Sequence, residues 1–230
     1  MSAALPRIDS CPRCGENVWF YYGPDPSLIQ WTFWTDGRDT NQLGQPHAGY
    51  LRCCSSCNGF FFERDLSWEQ TLAGLELLEK AVAGKATASP AEIQSAVGEA
   101  RFPPVEQLYD AMQLLSRDLS DDEEVGLRIN AWQLENDRIR HLRQPANHPL
   151  ANVDVHFSAP AITSLRRLFD LLSESDESHR YYRAEIAREL GVFDTAITLF
   201  DRTRFSRLQS YAERALQLAR RGDRYVANLV

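Results

Sequence analysis

Two Cys-x-x-Cys units constrain this chain more than any other feature: Cys11-Pro12-Arg13-Cys14-Gly15 and Cys54-Ser55-Ser56-Cys57-Asn58-Gly59. Two thiolates at this spacing can point at one ion. Two such pairs facing each other supply four soft ligands in a tetrahedron, which zinc accepts without geometric penalty. The small residues after the second cysteine of each unit let backbone N–H groups turn toward the sulfurs and share their charge. All five cysteines precede residue 58. In a reducing compartment that clustering reads as metal binding, because disulfides do not persist there. The spacing predicts one structural zinc ion held by Cys11, Cys14, Cys54 and Cys57. A closed shell of four thiolates leaves no position for water, so such a metal stabilises the fold and does no chemistry by itself.

Other readings of the cysteines compete. A pair of disulfides needs an oxidising compartment, and the first ten residues, with Pro6, Arg7 and Asp9, hold no apolar signal-peptide core. Iron fits the same four-thiolate site. A redox-active Cys-x-x-Cys sits between a strand and a helix of a βαβ unit, a context missing here. Cys53 is the leftover cysteine, either a small buried hydrophobe or an alternative ligand replacing Cys54. His47, seven residues before Cys54, reads as a surface histidine once four thiolates have closed the site.

Short aromatic and β-branched runs surround the cysteines: Asn17–Tyr22, Ile29–Thr35, Tyr50–Cys53 and Gly59–Glu63. Such runs suit strands, and Gly23-Pro24-Asp25-Pro26, Asp36-Gly37 and Gly44-Gln45-Pro46 supply turns between them. With its two knuckles, residues 11–63 resemble a zinc ribbon. The resemblance implies a small β-rich module with a structural metal. Common ribbons separate their knuckles by roughly 15–20 residues, whereas 39 lie between Cys14 and Cys54 here. The strand at Trp31–Trp34 and its Asp36-Gly37 turn are expected to form an inserted hairpin.

Composition changes at Asp65. Ser67-x-x-Gln70 and Ser120-x-x-Glu123 are capping boxes, and Ser89-Pro90 starts another helix that Arg101-Phe-Pro-Pro104 should end. Helices are predicted over about 68–83, 90–101, 105–117, 120–142, 161–173, 177–190, 193–201 and 205–220, with a short turn from Asp223. Asp121-Asp122-Glu123-Glu124 belongs in a first helical turn, where negative charge suits the macrodipole. Trp132 and Leu134 read as core packing. The fold class expected is therefore α+β: a β-rich zinc-ribbon module over residues 1–65, then an all-α domain over 66–230, with a possible sub-boundary in the proline-bearing loop 143–160. Gly191, Phe193, Ala196 and Phe200, with Ala184 on the preceding helix, resemble one tetratricopeptide helical hairpin near residues 180–203. Thr203 stands where that pattern has alanine, and the terminal proline is missing. We read it as one helix pair in an irregular bundle, against the alternative of a degenerate repeat array.

Charge and motifs narrow the function. The formal charge is −7 over 230 residues, which argues against a protein built to grip a phosphate backbone. From Arg180 onward ten arginines face six acids, alternating as solvated helix faces do. No apolar run reaches the roughly 18–20 residues that span a bilayer, so a cytoplasmic location is expected. Twenty-three arginines against two lysines suggest a GC-rich bacterial genome. No catalytic signature is present among the histidines (His47, His141, His148, His156, His179), and Asp154-x-His156 reads as a pair of solvated polar residues rather than a metal site. The leading expectation is a non-enzymatic zinc-binding adaptor with a protein partner. Alternatives are a nucleic-acid-associated zinc protein, binding single strands through exposed aromatics, and an enzyme of a type without a recognisable motif, using the 143–160 loop.

Overall fold

The structure is a computed structural model that describes residues 6–21, 35–37, 51–66, 98–142, 156–203, 205–206 and 208–227. Among these lie five strands and six α-helices. The strands are β1 (Pro6–Ser10), β2 (Asn17–Tyr21), β3 (Leu51–Cys54), β4 (Phe60–Phe62) and β5 (Gly98–Arg101). The helices are α1 (Val105–Leu114), α2 (Asp121–Leu142), α3 (Ala159–Leu171), α4 (Glu177–Glu189), α5 (Phe193–Arg202) and α6 (Gln209–Arg220). The described protein is thus mainly helical with a small β part, an α+β composition. None of its described helices is long and apolar enough to cross a membrane.

The chain divides into two compact units, and it visits the second one twice. Met1–Ile29 and Gln45–Gln107 form the first; Gln30–Gly44 and Leu108–Val230 form the second. The first unit is a sheet in the order β1-β2-β5-β3-β4. β1 and β2 form one antiparallel hairpin, with Pro6 opposite Tyr21 and Ser10 opposite Asn17. β3 and β4 form another, with Leu51 opposite Phe62. β5 joins them, parallel to β2 at Val18 and Trp19 and antiparallel to β3 at Cys53 and Cys54. Among the described residues its core holds Cys11, Val18, Cys54, Phe61, Leu66 and Ala100.

β5 corrects the sequence reading, which placed a helix over 90–101. Two hairpins each present an unpaired edge, and Gly98–Arg101 satisfies both at once; ladder pairing overrides a weak local helix preference. The next helix start was read correctly, since α1 begins at Val105 directly after Pro103-Pro104. β1 was missed: Pro6–Ser10 holds only one β-branched residue. The helix expected over 68–83, the strand at 31–34 and most of the 143–160 loop lie outside the described residues.

In the second unit the local signals held. At Ser120, the backbone N–H donates to Glu123 Oε2 at 3.0 Å and the Glu123 N–H returns to Ser120 Oγ at 3.4 Å, the reciprocal capping box read from the sequence. Ser158 caps α3 and Asp176 caps α4, each accepting an N–H from the first turn. Helix α6 begins at Gln209, four residues later than expected, and Asp223 opens no helical turn. A helix pair, α4 and α5, stands where one hairpin was expected, with Gly191 at φ +78° in the turn between them. Its core is a stripe of small residues, Ala184, Ala187 and Ala196, continued by Ala212, Ala215 and Ala219 of α6 and filled by Tyr181, Phe200 and Phe205. A second cluster joins Val125 and Trp132 of α2 to Leu165 and Leu168 of α3, Leu172 and Ile186.

The turn Thr35-Asp36-Gly37 is seated in this helical unit. Thr35 and Asp36 are both 0% exposed. Tyr181 Oη donates to the Thr35 carbonyl at 2.8 Å and Gln133 Nε2 to the Asp36 carbonyl at 3.2 Å. The Asp36 carboxylate accepts from Asn136 Nδ2 at 3.1 Å and from the Arg140 guanidinium. Thr35 N–H donates to the Ala227 carbonyl at 2.9 Å, and Ala227 N–H returns to Thr35 Oγ1 at 3.1 Å. The Asp36-Gly37 turn expected in a hairpin of the ribbon therefore exists, with Gly37 at φ +77°, but as part of the second unit.

The lining of this socket is largely polar. Gln133, Asn136, Asp137 and Arg140 of α2 are buried, as are Glu185, Arg188 and Glu189 of α4. Trp132 is core as expected, whereas Leu134 is only half-buried. Arg188 pairs with Glu185 and also donates to the Tyr225 carbonyl at 3.0 Å. Glu189 accepts from Trp132 Nε1 at 2.6 Å and from Asn136 Nδ2 at 3.1 Å. Burial raises its pKa well above the usual carboxylate range; the neighbouring charges of Glu185 and Asp36 add to the rise, against Arg188 and the Trp132 hydrogen bond.

Candidate metal centre

Each Cys-x-x-Cys unit occupies the turn of a hairpin, one between β1 and β2 and the other between β3 and β4. The two turns share one backbone pattern. Cys11 N–H donates to the Glu16 carbonyl at 2.8 Å while its own carbonyl accepts from Gly15 N–H at 2.8 Å. Cys54 N–H donates to the Gly59 carbonyl at 3.0 Å and its carbonyl accepts from Asn58 N–H at 2.8 Å. The residue closing each turn is left-handed: Gly15 at φ +77° and Asn58 at φ +55°. Glycine reaches that region without strain, and asparagine is one of the few other residues that visits it.

Gly59 serves a different purpose. A Cβ there would lie 3.1 Å from both Cys57 Sγ and Arg13 Cγ, so a side chain would press on a ligand atom. Arg13 in turn crosses between the turns, its Nε donating to the Phe60 carbonyl at 3.2 Å.

The four sulfurs converge as the sequence spacing requires. All Sγ atoms of Cys11, Cys14, Cys54 and Cys57 lie within 4.8 Å of one another. The cross-turn pairs Cys11–Cys57 and Cys14–Cys54 are each 3.9 Å apart. A tetrahedron with metal–sulfur bonds of about 2.3 Å has edges of about 3.8 Å. A disulfide needs about 2.05 Å, and all four thiols are free. The donor set therefore fits a single soft metal ion at its centre. Cys11 and Cys54 are buried and Cys14 and Cys57 exposed, so the cluster reaches from the core to the surface.

Backbone dipoles are already aimed at these sulfurs. Arg13 N–H points at Cys11 Sγ at 3.4 Å and Gly59 N–H at Cys57 Sγ at 3.3 Å. Burial pushes the Cys11 thiol up to about 12, partly offset by the Arg13 and Cys14 amides. Burial also raises Cys57. At Cys54 burial acts in the same direction, but the Cys57 and Ser56 amides and the neighbouring thiols outweigh it and bring the group down to about 7. Cys54 therefore ionises more readily than Cys11 or Cys57. Four negative charges cannot gather there without a cation to hold them.

Cys53 lies outside this cluster. It is 1% exposed, and its sulfur faces the Cys54 carbonyl at 4.0 Å. Adjacent strand residues project to opposite faces, so β3 cannot turn both Cys53 and Cys54 toward one ion. His47, His148 and Asp154 fall outside the described residues. His156 meets the Arg224 guanidinium in the second unit, and His179 Nδ1 accepts from Ser173 N–H at 3.2 Å. The sequence reading missed the polar socket around Asp36; a polar residue on a helix is expected at the surface, and no local signal marks the exceptions. Compared with protein-family models, curated proteins and solved structures, the chain matches none.

Proposed function

We propose that this chain is a non-enzymatic zinc-binding protein that acts as a protein–protein interaction adaptor, with a zinc ribbon as its first unit. The observation that carries the metal assignment is the pair of 3.9 Å cross-turn sulfur separations between two matched hairpin turns. Zinc is preferred over iron because a redox-inert ion serves a purely structural four-thiolate site. With all four ligands supplied by the chain, the ion stabilises the fold, and function belongs to the surfaces it holds in place. A cytoplasmic setting keeps the thiols reduced for this purpose. The adaptor reading draws on the α4–α5 pair, whose small-residue stripe and left-handed Gly191 support the resemblance to one tetratricopeptide hairpin.

Metal analysis of the purified chain tests the first part: one equivalent of zinc is expected, lost when the exposed pair Cys14 and Cys57 is changed to serine. A metal-free preparation with four titratable thiols would end this reading. For the second part, the immobilised chain should retain a protein partner at moderate salt. A shift of a single-stranded oligonucleotide that weakens steeply with salt would replace the adaptor with a nucleic-acid binder.

A further inference from the structure

We propose that Thr35-Asp36-Gly37 is an internal ligand of the helical unit, and that metal occupancy at the four cysteines sets how tightly this ligand is held. The inference rests on the metal assignment above and extends it to regulation of the second unit.

The turn is held as a bound peptide is held. Its carbonyls accept from Tyr181 and Gln133, its carboxylate from Asn136 and Arg140, and its Thr35 hydroxyl from Ala227 N–H and Arg188 Nη2. These partners come from α2, α4 and the segment after α6, all far from residue 35 in sequence. Most of them are themselves buried polar groups that would be left unsatisfied, at a cost, if the turn withdrew. The turn is thus a removable piece whose departure would disturb α2 and α4 together.

Chain connectivity links this piece to the metal site. The polypeptide leaves the first unit after Ile29 and returns to it before Gln45. Cys14 and Cys54 flank that excursion, and their sulfurs lie 3.9 Å apart. Among the described residues the two hairpins are joined by the cysteine cluster, by the Arg13–Phe60 bond, by the apolar core they share and through β5, with two residue pairs on each side. A metal ion would therefore clamp the chain on both sides of the excursion, at the ends of the 39 residues between Cys14 and Cys54. Fixed ends reduce the entropy lost when the turn seats, and a seated turn reduces the entropy lost when the four thiols converge. Such coupling is reciprocal by thermodynamic necessity, and couplings of this kind span about 5- to 150-fold.

The test is hydrogen exchange on the full chain, zinc-loaded and then stripped by a chelator under reducing conditions. Stripping should speed exchange of the α2 and α4 amides by a factor within about 5- to 150-fold. Helix α6, from which no described hydrogen bond reaches the turn, should change much less. The reciprocal arm measures zinc retention against a chromophoric chelator in Asp36→Asn, which puts an amide against the Arg140 and Asn136 donors, and in the milder Thr35→Val. Both should lose zinc faster than the parent although no cysteine has changed. Stripping that exposes the first unit and leaves α2 and α4 protected would overturn the coupling and leave the metal assignment standing, as would parental zinc retention in both variants. A chain that binds no zinc would overturn both.

Discussion

Replacing Gly37 by alanine puts a methyl group where there is no room for one. Its φ is +77°, and an added Cβ would lie 2.5 Å from Tyr182 Oη and 2.9 Å from the ring carbon Cε1. Tyr182 is poorly placed to yield: its ring packs edge-on against buried Trp132 at 5.7 Å and against Tyr181 at 6.0 Å. A left-handed non-glycine residue costs about 1–2 kcal/mol, and overpacking a filled site costs a further 1–3 kcal/mol or so. The expected loss is about 2–5 kcal/mol. Gly191→Ala separates the two contributions, because Gly191 also has φ +78° but nothing within 4 Å of the added Cβ; it should lose only about 1–2 kcal/mol. Gly126→Ala, within α2 and facing open space, should gain about 0.5–1 kcal/mol. Urea unfolding of the zinc-loaded chain, followed by far-ultraviolet circular dichroism, ranks the three. Equal losses for Gly37→Ala and Gly191→Ala would refute the close approach to Tyr182. A loss below about 0.5 kcal/mol for Gly37→Ala, no more than an ordinary surface change, would refute the seating of the turn altogether.

Three further outcomes are expected. Ser120→Ala should destabilise the helical unit by about 1 kcal/mol through loss of the α2 cap, read by the same unfolding assay; Thr in its place should recover most of it. Cys53→Ala should keep one equivalent of zinc, because its sulfur is outside the cluster, and metal loss in that variant would restore Cys53 as a ligand. Glu189 gives a pH dependence whose sign follows from its raised pKa. Above the usual value of 4.5 the unfolded chain has released a proton that the folded chain retains. Stability from this group is therefore full below that value and falls as pH rises toward the folded pKa, by at most about 1.4 kcal/mol per pH unit. Glu189→Gln has no such slope. Its stability relative to the parent should improve as pH rises above the usual value of 4.5, and parallel pH profiles would show that Glu189 is ionised in the fold.

Legibility from the sequence followed the range of the forces involved. Cys-x-x-Cys turns, N-caps and proline breaks act within a few residues, so Cys11 to Gly15, Ser120 to Glu123 and the Val105 helix start were readable directly. Pattern reading failed where a distant partner decided. Gly98–Arg101 became a strand because two hairpin edges needed one. Asp36 looked like half of a hairpin turn until Arg140, 104 residues away, supplied a buried countercharge.

The sequence by itself determined which four side chains could share an ion, because spacing within each knuckle sets where two sulfurs can point. It also determined where most described helices begin, because capping is a local hydrogen-bond exchange. Only the tertiary structure decided that the two knuckles face each other at 3.9 Å, and that Cys53 turns away while its neighbour Cys54 turns in. Only there, too, does the excursion between the knuckles belong to the helical unit. A buried polar group is stabilised solely by partners brought to it, and those partners, on α2, α4 and at Ala227, meet Thr35 and Asp36 only when the chain has folded.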